Sequence, residues 1–350
     1  MRLTFVCLNA DMSSPVHATT VRWIDALAAR PEVDHLTVLT LDGGRVPQRP
    51  GLVVRTFRRR HRLSTTWQFY REVARVVRQG TDAFLVYQGG PYPLLLWPIK
   101  LARGIPIYYW KAHPHISGWT RLSARASTRV FTSTPAAFPL ALPHVVVVGQ
   151  GVDVKTFTPR PQTAGSADLV TVGRIAPVKR LDQMIHAVAR HNDRFGARVR
   201  LDIYGPTLPE DGGHARRLRD MTGTAGLSDL VTFKGPVMQD DLPPLLGGYR
   251  LFLNFSKTAL DRTVVEAMAC GLPVLSTNQA VAQMLPPRLR DALVVPEDDL
   301  DAQAEGIHRL LSLDAEARAD LSAAVRALIV KEHNLEILIG RIVQEMGSRR

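Results

Sequence analysis

The sequence predicts an α/β protein made of two doubly wound, Rossmann-like domains in tandem. Three observations carry this: apolar runs alternate with amphipathic stretches along the chain, the alternation starts afresh midway, and periodicity fails between the two series. At 350 residues the chain also exceeds what one hydrophobic core commonly supports. The first series reads LTFVCL, TTVRWIDALAAR, HLTVLTL, WQFYREVARVVRQ and AFLVYQ. Strand-like runs separated by helical ones imply parallel sheets covered by helices on both faces. The second series reads DLVTVG, LDQMIHAVARH, VRLDIYG, ARRLRDMTGTAG, LVTFKG, LPPLLGG, LFLNFS and VVEAMACG. Between them GQGVDVKTFTPRPQTAGSAD collects Gly, Pro, Ser and Thr, which places the linker near residues 150–166. The expected domains are therefore 1–150, 151–330 and a closing helix in 331–350. That helix carries the apolar stripe Leu335, Leu338, Ile339, Ile342 and Met346 and can pack back on the first domain. In such sheets ligands bind outside the carboxyl ends of the strands, so the site is expected in a cleft between the domains.

Hydrophobic residues at 45% and charged residues at 22% describe an ordinary globular protein. The opening MRLTFVCLNA reads as a first buried strand, because Asn9, Asp11, Ser13 and Ser14 follow too early for a signal peptide. No stretch approaches the roughly 20 apolar residues of a spanning helix, so a cytoplasmic protein, soluble or peripheral on the inner face of the membrane, is expected. Cys7 and Cys270 are far apart within apolar sequence and suit buried, reduced thiols rather than a disulfide framework or a metal site.

Charge is unevenly divided. Residues 1–150 hold 19 Lys and Arg against 7 Asp and Glu, while the remainder holds 25 against 25, so the N-terminal part carries all of the net +12. A basic surface attracts nucleic acid, anionic lipid or an acidic substrate; the absence of a recognition motif and the neutral second half argue against nucleic acid. RRRHRLSTTWQFYREVARVVRQG puts Trp67, Tyr70, Val73 and Val77 on one helical face and Arg71, Arg75 and Arg78 on another, behind Arg58, Arg59, Arg60 and Arg62. This is either a domain helix with a solvated basic face or a surface that lies on an anionic membrane.

Two segments carry the chemistry. In DLVTVGRIAPVKRLDQMIHAVARH a strand closes at Val172–Gly173, a loop holds Arg174 and Lys179, and a helix starts near Leu181. Two cations beside a helix amino end make an anion site; a solvated basic loop is the plain alternative. In LFLNFSKTALDRTVVEAMACGLPVLST a strand ends at Ser256, and a helix runs from near Thr263 to Cys270–Gly271, ended by Gly271 and Pro273. Glu266, one turn into that helix, can accept both hydroxyls of a ribose; an exposed or ion-paired helical Glu is the alternative.

Together the segments resemble the retaining glycosyltransferases of family four, which carry a strand, then G-R-x-x-x-x-K, and later E-x(7)-E-A-M-A-C-G-x-P-V. GRIAPVK matches the first element, VVEAMACGLPV the second, and GVDVKTFTP the interdomain N-G-V-D-x-x-x-F-x-P. HATTVRWIDALAAR, WKAHPH and VFTSTPAAF are similar to a subgroup that begins with a His-Thr-x-x-Trp helix. The resemblance implies the GT-B fold, with two Rossmann-like domains facing a cleft, and a nucleoside-diphosphate sugar, UDP- or GDP-linked, as donor. It further implies that Arg174 and Lys179 neutralise the leaving diphosphate without a metal or other cofactor, that Glu266 holds the ribose, and that His113 lies near the transferred sugar, with His115 as its neighbour and competitor. Gly173, Arg262 and Thr263 belong to the same donor segments, and backbone groups near Phe233, Lys234 and Gly235 are expected at the base. The implied acceptor is a glycan, a lipid-linked saccharide or another small precursor.

One position departs from the pattern. Eight residues before Glu266, where the family carries its first Glu, this chain has Thr258. Asp261 in the same loop could reach the same sugar hydroxyls, and Leu260-Asp261-Arg262 resembles the Leu-Asp-basic run of one branch; capping the following helix is the other job for an Asp there. The departure keeps open a nonenzymatic nucleotide-sugar-binding partner, whereas the epimerases of this fold match GRIAPVK poorly.

Overall fold

The computed structural model describes residues 1–14, 18–57, 61–160, 168–224, 226–257 and 259–347, with Ala18 and Arg62 described by backbone alone. Thr258 and the Arg58–Arg60 run lie outside the described residues. The chain divides into two units, Met1–Gly151 with Leu335–Arg350, and Val152–Asn334.

The first unit alternates strands and helices: β1 (Arg2–Ala10), α1 (Ala18–Ala28), β2 (His35–Gly43), β3 (Leu52–Thr56), α2 (Arg62–Arg78), β4 (Ala83–Tyr87), α3 (Tyr92–Arg103), β5 (Ile107–Trp110), α4 (Gly118–Ala126), β6 (Arg129–Thr132) and β7 (Val145–Val147). Its strands form one parallel sheet in the order β3-β2-β1-β4-β5-β6-β7, with Leu3 opposite Leu36 on one side and Ala83 on the other. Because successive strand residues point to opposite faces, an uninterrupted apolar strand feeds two cores at once. Phe5, Leu85, Tyr108, Trp110 and Phe131 pack with Trp23 and Ile24 of α1 on one face. Val6, Phe84, Val86, Tyr109 and Val130 pack with Phe69, Val73, Leu96 and Ala124 of α2, α3 and α4 on the other.

Helix α2 corrects one expectation. Phe69, Val73 and Val76 are its buried apolar residues, and Trp67 is 63% exposed. Two apolar stripes share Val73. The winning stripe carries Phe69, whose ring meets Phe57 at 5.3 Å and Tyr92 at 5.2 Å, so the helix is phased by these aromatic partners and Trp67 turns outward. The same phasing buries Glu72, which Arg75 (2.8 Å), Arg71 (3.3 Å) and Arg55 (3.9 Å) compensate.

The second unit repeats the plan: β8 (Leu169–Val172), α5 (Leu181–Phe195), β9 (Leu201–Tyr204), α6 (Gly212–Thr224), β10 (Val231–Gly235), α7 (Leu242–Leu246), β11 (Leu251–Asn254), α8 (Arg262–Ala269), β12 (Val274–Ser276), α9 (Gln279–Met284), α10 (Pro287–Leu293), α11 (Leu300–Leu311) and α12 (Ala315–Glu332). The sheet order is β10-β9-β8-β11-β12, again parallel throughout. Gly271, at φ +75°, closes α8 in the left-handed region. A last helix, α13 (Leu335–Gly347), returns to the first unit, where Leu335, Leu338, Ile339, Ile342 and Met346 join the core that holds Trp23 and Leu27.

Candidate functional site

In the second unit the strand reversal between β8 and β11 brings two loops together at the carboxyl ends of the sheet. The first leaves β8 through Gly173, whose N–H is bonded to the Tyr204 carbonyl (2.9 Å). Here the backbones of two loops nearly touch: a Cβ on Gly205 would lie 1.8 Å from the Gly173 oxygen, so position 205 admits only glycine. Arg174 follows, half exposed, with its guanidinium 3.8 Å from Asp211. A short turn, Pro177–Lys179, then delivers Lys179, and Arg180 enters α5 from the left-handed region at φ +51°. A non-glycine residue there is strained, and the Arg180 side chain is held by Glu297 at 2.9 Å.

The second loop leaves β11 two residues earlier than the sequence suggests, at Asn254. Its polar residues turn inward to hold Asp261. Lys179 Nζ donates to Asp261 Oδ1 at 2.5 Å, while Asn254 Nδ2 (2.9 Å) and Ser256 Oγ (2.6 Å) donate to Oδ2. Asn278 Nδ2 donates to the Ser256 carbonyl (2.8 Å), and Ser276 Oγ donates to Asn254 Oδ1 (3.1 Å). Asp261 occupies the N-cap position of α8, yet its side chain makes no capping bond, which rules against the cap reading. The two loops are also stitched by backbone, since the Lys257 N–H donates to the Val178 carbonyl (2.9 Å).

Helix α8 starts against the end of β8. Thr263 Oγ1 donates to the Val172 carbonyl (3.0 Å), so its hydroxyl is used in fixing the helix to the strand. Arg262, half-buried, precedes it in the first turn. One turn on, Glu266 is 2% exposed, and its Oε1 accepts from Gln239 Nε2 at 2.6 Å. Phe233 and Gly235 lie at the end of β10; the Gly235 carbonyl accepts from the Gly205 N–H (2.8 Å), and Arg219 stacks over the Phe233 ring at 5.3 Å. Arg174, Lys179, Asp261, Thr263 and Glu266 thus share one end of the second unit. Gln239, Asn254, Ser256 and Asn278 belong with them and escape the sequence reading. Buried Asn and Ser at strand ends were the available signal, because such groups need partners.

His113 belongs to the first unit, in the loop after β5. Its Nδ1 accepts from the His115 N–H at 3.1 Å, so the two histidines of HPH form one local turn. Desolvation and the nearby Lys111 ammonium hold the His113 imidazole below its ordinary pKa, in the neutral form at pH 7.

This arrangement can hold an anion: two cations flank the junctions of β8–α5 and β11–α8, the positive end of the α8 dipole adds to them, and Asp261 and Glu266 carry carboxylates that can accept hydroxyls.

Comparison with known proteins bears on the family and the fold. Residues 166–313 match the family described as glycosyl transferases group 1. The chain is 27% identical over 203 residues to the putative colanic acid biosynthesis glycosyltransferase WcaL of Escherichia coli, covering 55% of this chain and 48% of that protein. It is 25% identical over 297 residues to the GDP-mannose-dependent α-(1-6)-phosphatidylinositol monomannoside mannosyltransferase of Mycobacterium tuberculosis, covering 75% of each. It therefore spans about half the length of the first of these relatives and three quarters of the second. Among solved structures, Anabaena HepE in complex with UDP superposes with a TM-score of 0.76 at 16% identity, covering 99% of this chain and 100% of that one. That likeness is one of fold, the two-sheet GT-B architecture. The likeness to the glycosyl transferases group 1 family is thus carried by residues 166–313, within the second unit.

Proposed function

We propose that the chain is a retaining, metal-independent glycosyltransferase that moves a sugar from a UDP- or GDP-linked donor to a glycan or lipid-linked acceptor. The observation that carries this reading is the Lys179–Asp261 pair beside Arg174, Thr263 and the buried Glu266, a cation pair and two carboxylates grouped at the sheet's carboxyl end. Arg174 and Lys179 take up the charge that appears on the diphosphate as the anomeric C–O bond breaks, and the α8 amino end adds its dipole. Glu266, oriented by Gln239, accepts the ribose hydroxyls, and Asp261 accepts a donor-sugar hydroxyl in place of the Glu missing at position 258. The acceptor oxygen bonds to the anomeric carbon from the face the phosphate leaves, and its proton passes to a phosphate oxygen. His113 of the first unit hydrogen-bonds the transferred sugar in its neutral form. The relatives' names support the choice of donor: one is GDP-mannose-dependent, and HepE was solved with UDP. The membrane reading rests on charge, since the basic first part of the chain suits attachment to an anionic surface that bears a lipid-linked acceptor.

Release of UDP or GDP from nucleotide sugars, assayed in excess EDTA with and without acceptor extract, tests the proposal. Turnover that persists in EDTA supports it, and strict Mg2+ or Mn2+ dependence refutes the metal-independent step. Thr258 motivates the second reading, a nucleotide-sugar-binding partner without turnover; donor binding with no release of nucleoside diphosphate would favour it.

A further inference from the structure

Of the five tryptophans in the chain, Trp23 and Trp110 are buried, and Trp67, Trp97 and Trp119 are exposed. The exposed three stand on α2, α3 and α4, the helices that together cover one face of the first unit's sheet. These helices are tied to one another: Tyr70 Oη donates to the Leu95 carbonyl (2.9 Å), Lys100 Nζ to the Ala126 carbonyl (2.9 Å) and Ser123 Oγ to the Gly90 carbonyl (2.6 Å). Each also carries an exposed leucine one helical turn from its tryptophan: Leu63 with Trp67, Leu101 with Trp97, and Leu122 with Trp119. Residues three or four apart share a helix face, so each helix has an inward stripe in the core and a second apolar pair on its outer side.

The charge around these pairs is one-sided. Helices α2, α3 and α4 contain eight basic residues and one acidic residue, and that one, Glu72, is buried beneath Arg55, Arg71 and Arg75. Arg71 lies over the Trp67 ring at 5.3 Å. Scattered single apolar residues need no explanation, but three Trp–Leu pairs among cations on one helical layer do. Tryptophan prefers the boundary between headgroups and acyl chains, and basic side chains reach from that depth to lipid phosphates. Among the described residues no helix is long and apolar enough to cross a membrane.

We propose that the outer face of α2, α3 and α4 docks on an anionic bilayer and inserts Trp67, Trp97, Trp119 and their leucine partners to the depth of the upper acyl chains. This deepens the membrane reading above. That reading needs only charge, whereas insertion needs these six apolar side chains.

The test uses the whole chain with mixed phosphatidylcholine–phosphatidylglycerol vesicles, some carrying brominated acyl chains. Wild type is expected to co-sediment, to shift its tryptophan emission to the blue and to be quenched by the bromines, since the exposed tryptophans report directly. A variant with Trp97→Ser and Trp119→Ser, with an unchanged melting curve, is expected to lose most of the quenching, only that of Trp67 remaining, and to partition about tenfold more weakly, the residue of binding vanishing at high salt. Its release of nucleoside diphosphate with a water-soluble acceptor should match wild type, because both residues belong to the first unit and the donor site is built from residues of the second. Wild type that binds anionic vesicles without quenching, or a double variant that binds as well as wild type, overturns insertion and leaves charge-driven attachment standing. No binding at low salt overturns both. If the double variant instead converts a dimer to a monomer and vesicle binding is unaffected, a second copy of the chain covers this face and the proposal fails.

Discussion

Replacing Asp261 by Asn tests the donor site most directly. The carboxylate receives three donors, Lys179 Nζ on one oxygen and Asn254 Nδ2 with Ser256 Oγ on the other. An amide supplies one oxygen only, and its NH2 must then face either the ammonium or Asn254 Nδ2. Lys179 and Asp261 are only 20% and 14% exposed, so the loss of a charge-assisted bond is modestly screened and is worth about 2 kcal/mol of stability. For a unit of this size that lowers Tm by about 4–8 °C. The catalytic effect is larger: removal of one charged group that meets the transition state typically costs about 10²–10³ in kcat. Binding of the free nucleoside diphosphate moves the other way, because a negative charge beside the diphosphate disappears and Lys179 is freed. Calorimetric Kd for UDP and GDP, a melting curve and a transfer assay on the same variant separate the possibilities. Diphosphate affinity held or improved with kcat collapsed supports a sugar-binding Asp261. Affinity and kcat falling together would show that Asp261 only positions Lys179, and kcat within about threefold of wild type would end its role in transfer.

Arg174→Ala and Lys179→Ala should each lower kcat by about 10²–10³ while far-ultraviolet circular dichroism is unchanged, since their charge is needed most as the diphosphate departs; near-normal turnover in either contradicts the assignment. Glu266→Gln should raise the donor KM about tenfold or more with a smaller change in kcat, because the ribose does not react, and a deoxyribose donor should be handled equally by variant and wild type. The depressed pKa of His113 makes the folded protein take up its proton at lower pH than the unfolded chain does. Stability from this group is therefore full above about pH 6.5 and is lost as pH falls, a small effect at an exposed ring. Its NMR titration midpoint should lie below that value, and His113→Gln should remove the matching acid limb of kcat; a midpoint at or above it contradicts the desolvation.

Much of this was legible in the sequence, and the failures have physical causes. Gly173, Arg174 and Lys179 were legible through the match of GRIAPVK to G-R-x-x-x-x-K, since the same strand and loop taken alone read equally well as a solvated basic turn. Glu266 is legible by spacing alone, since its distance from Gly271 fixes it one turn into α8. Helix α2 was misread because two stripes through Val73 are equally apolar, and rings far away in sequence, Phe57 and Tyr92, choose between them. Gln239 could not be found at all, as nothing local in a loop glutamine says that a carboxylate 27 residues on will meet it.

The network around Asp261 gives its own argument for function. Asn254, Ser256, Ser276 and Asn278 are each at most 4% exposed, at the end of a strand pair where apolar residues would pack as well. A fully bonded polar cluster in such a place gains little stability over a hydrophobic one, and a partly bonded cluster loses it. Folding alone therefore gives no reason for four such residues. What the cluster does accomplish is to fix a carboxylate to within hydrogen-bond precision, with one oxygen turned to the ammonium of Lys179. A sugar hydroxyl arriving with the diphosphate can replace that ammonium at Asp261 as the phosphate oxygens claim Lys179, so both partners exchange one ligand for another and neither is left buried and unpaired. An exchange of this kind works at position 261 because the carboxylate is anchored from behind. On the proposed reading, Asn254 and Ser256 are then as necessary to sugar binding as Asp261 itself.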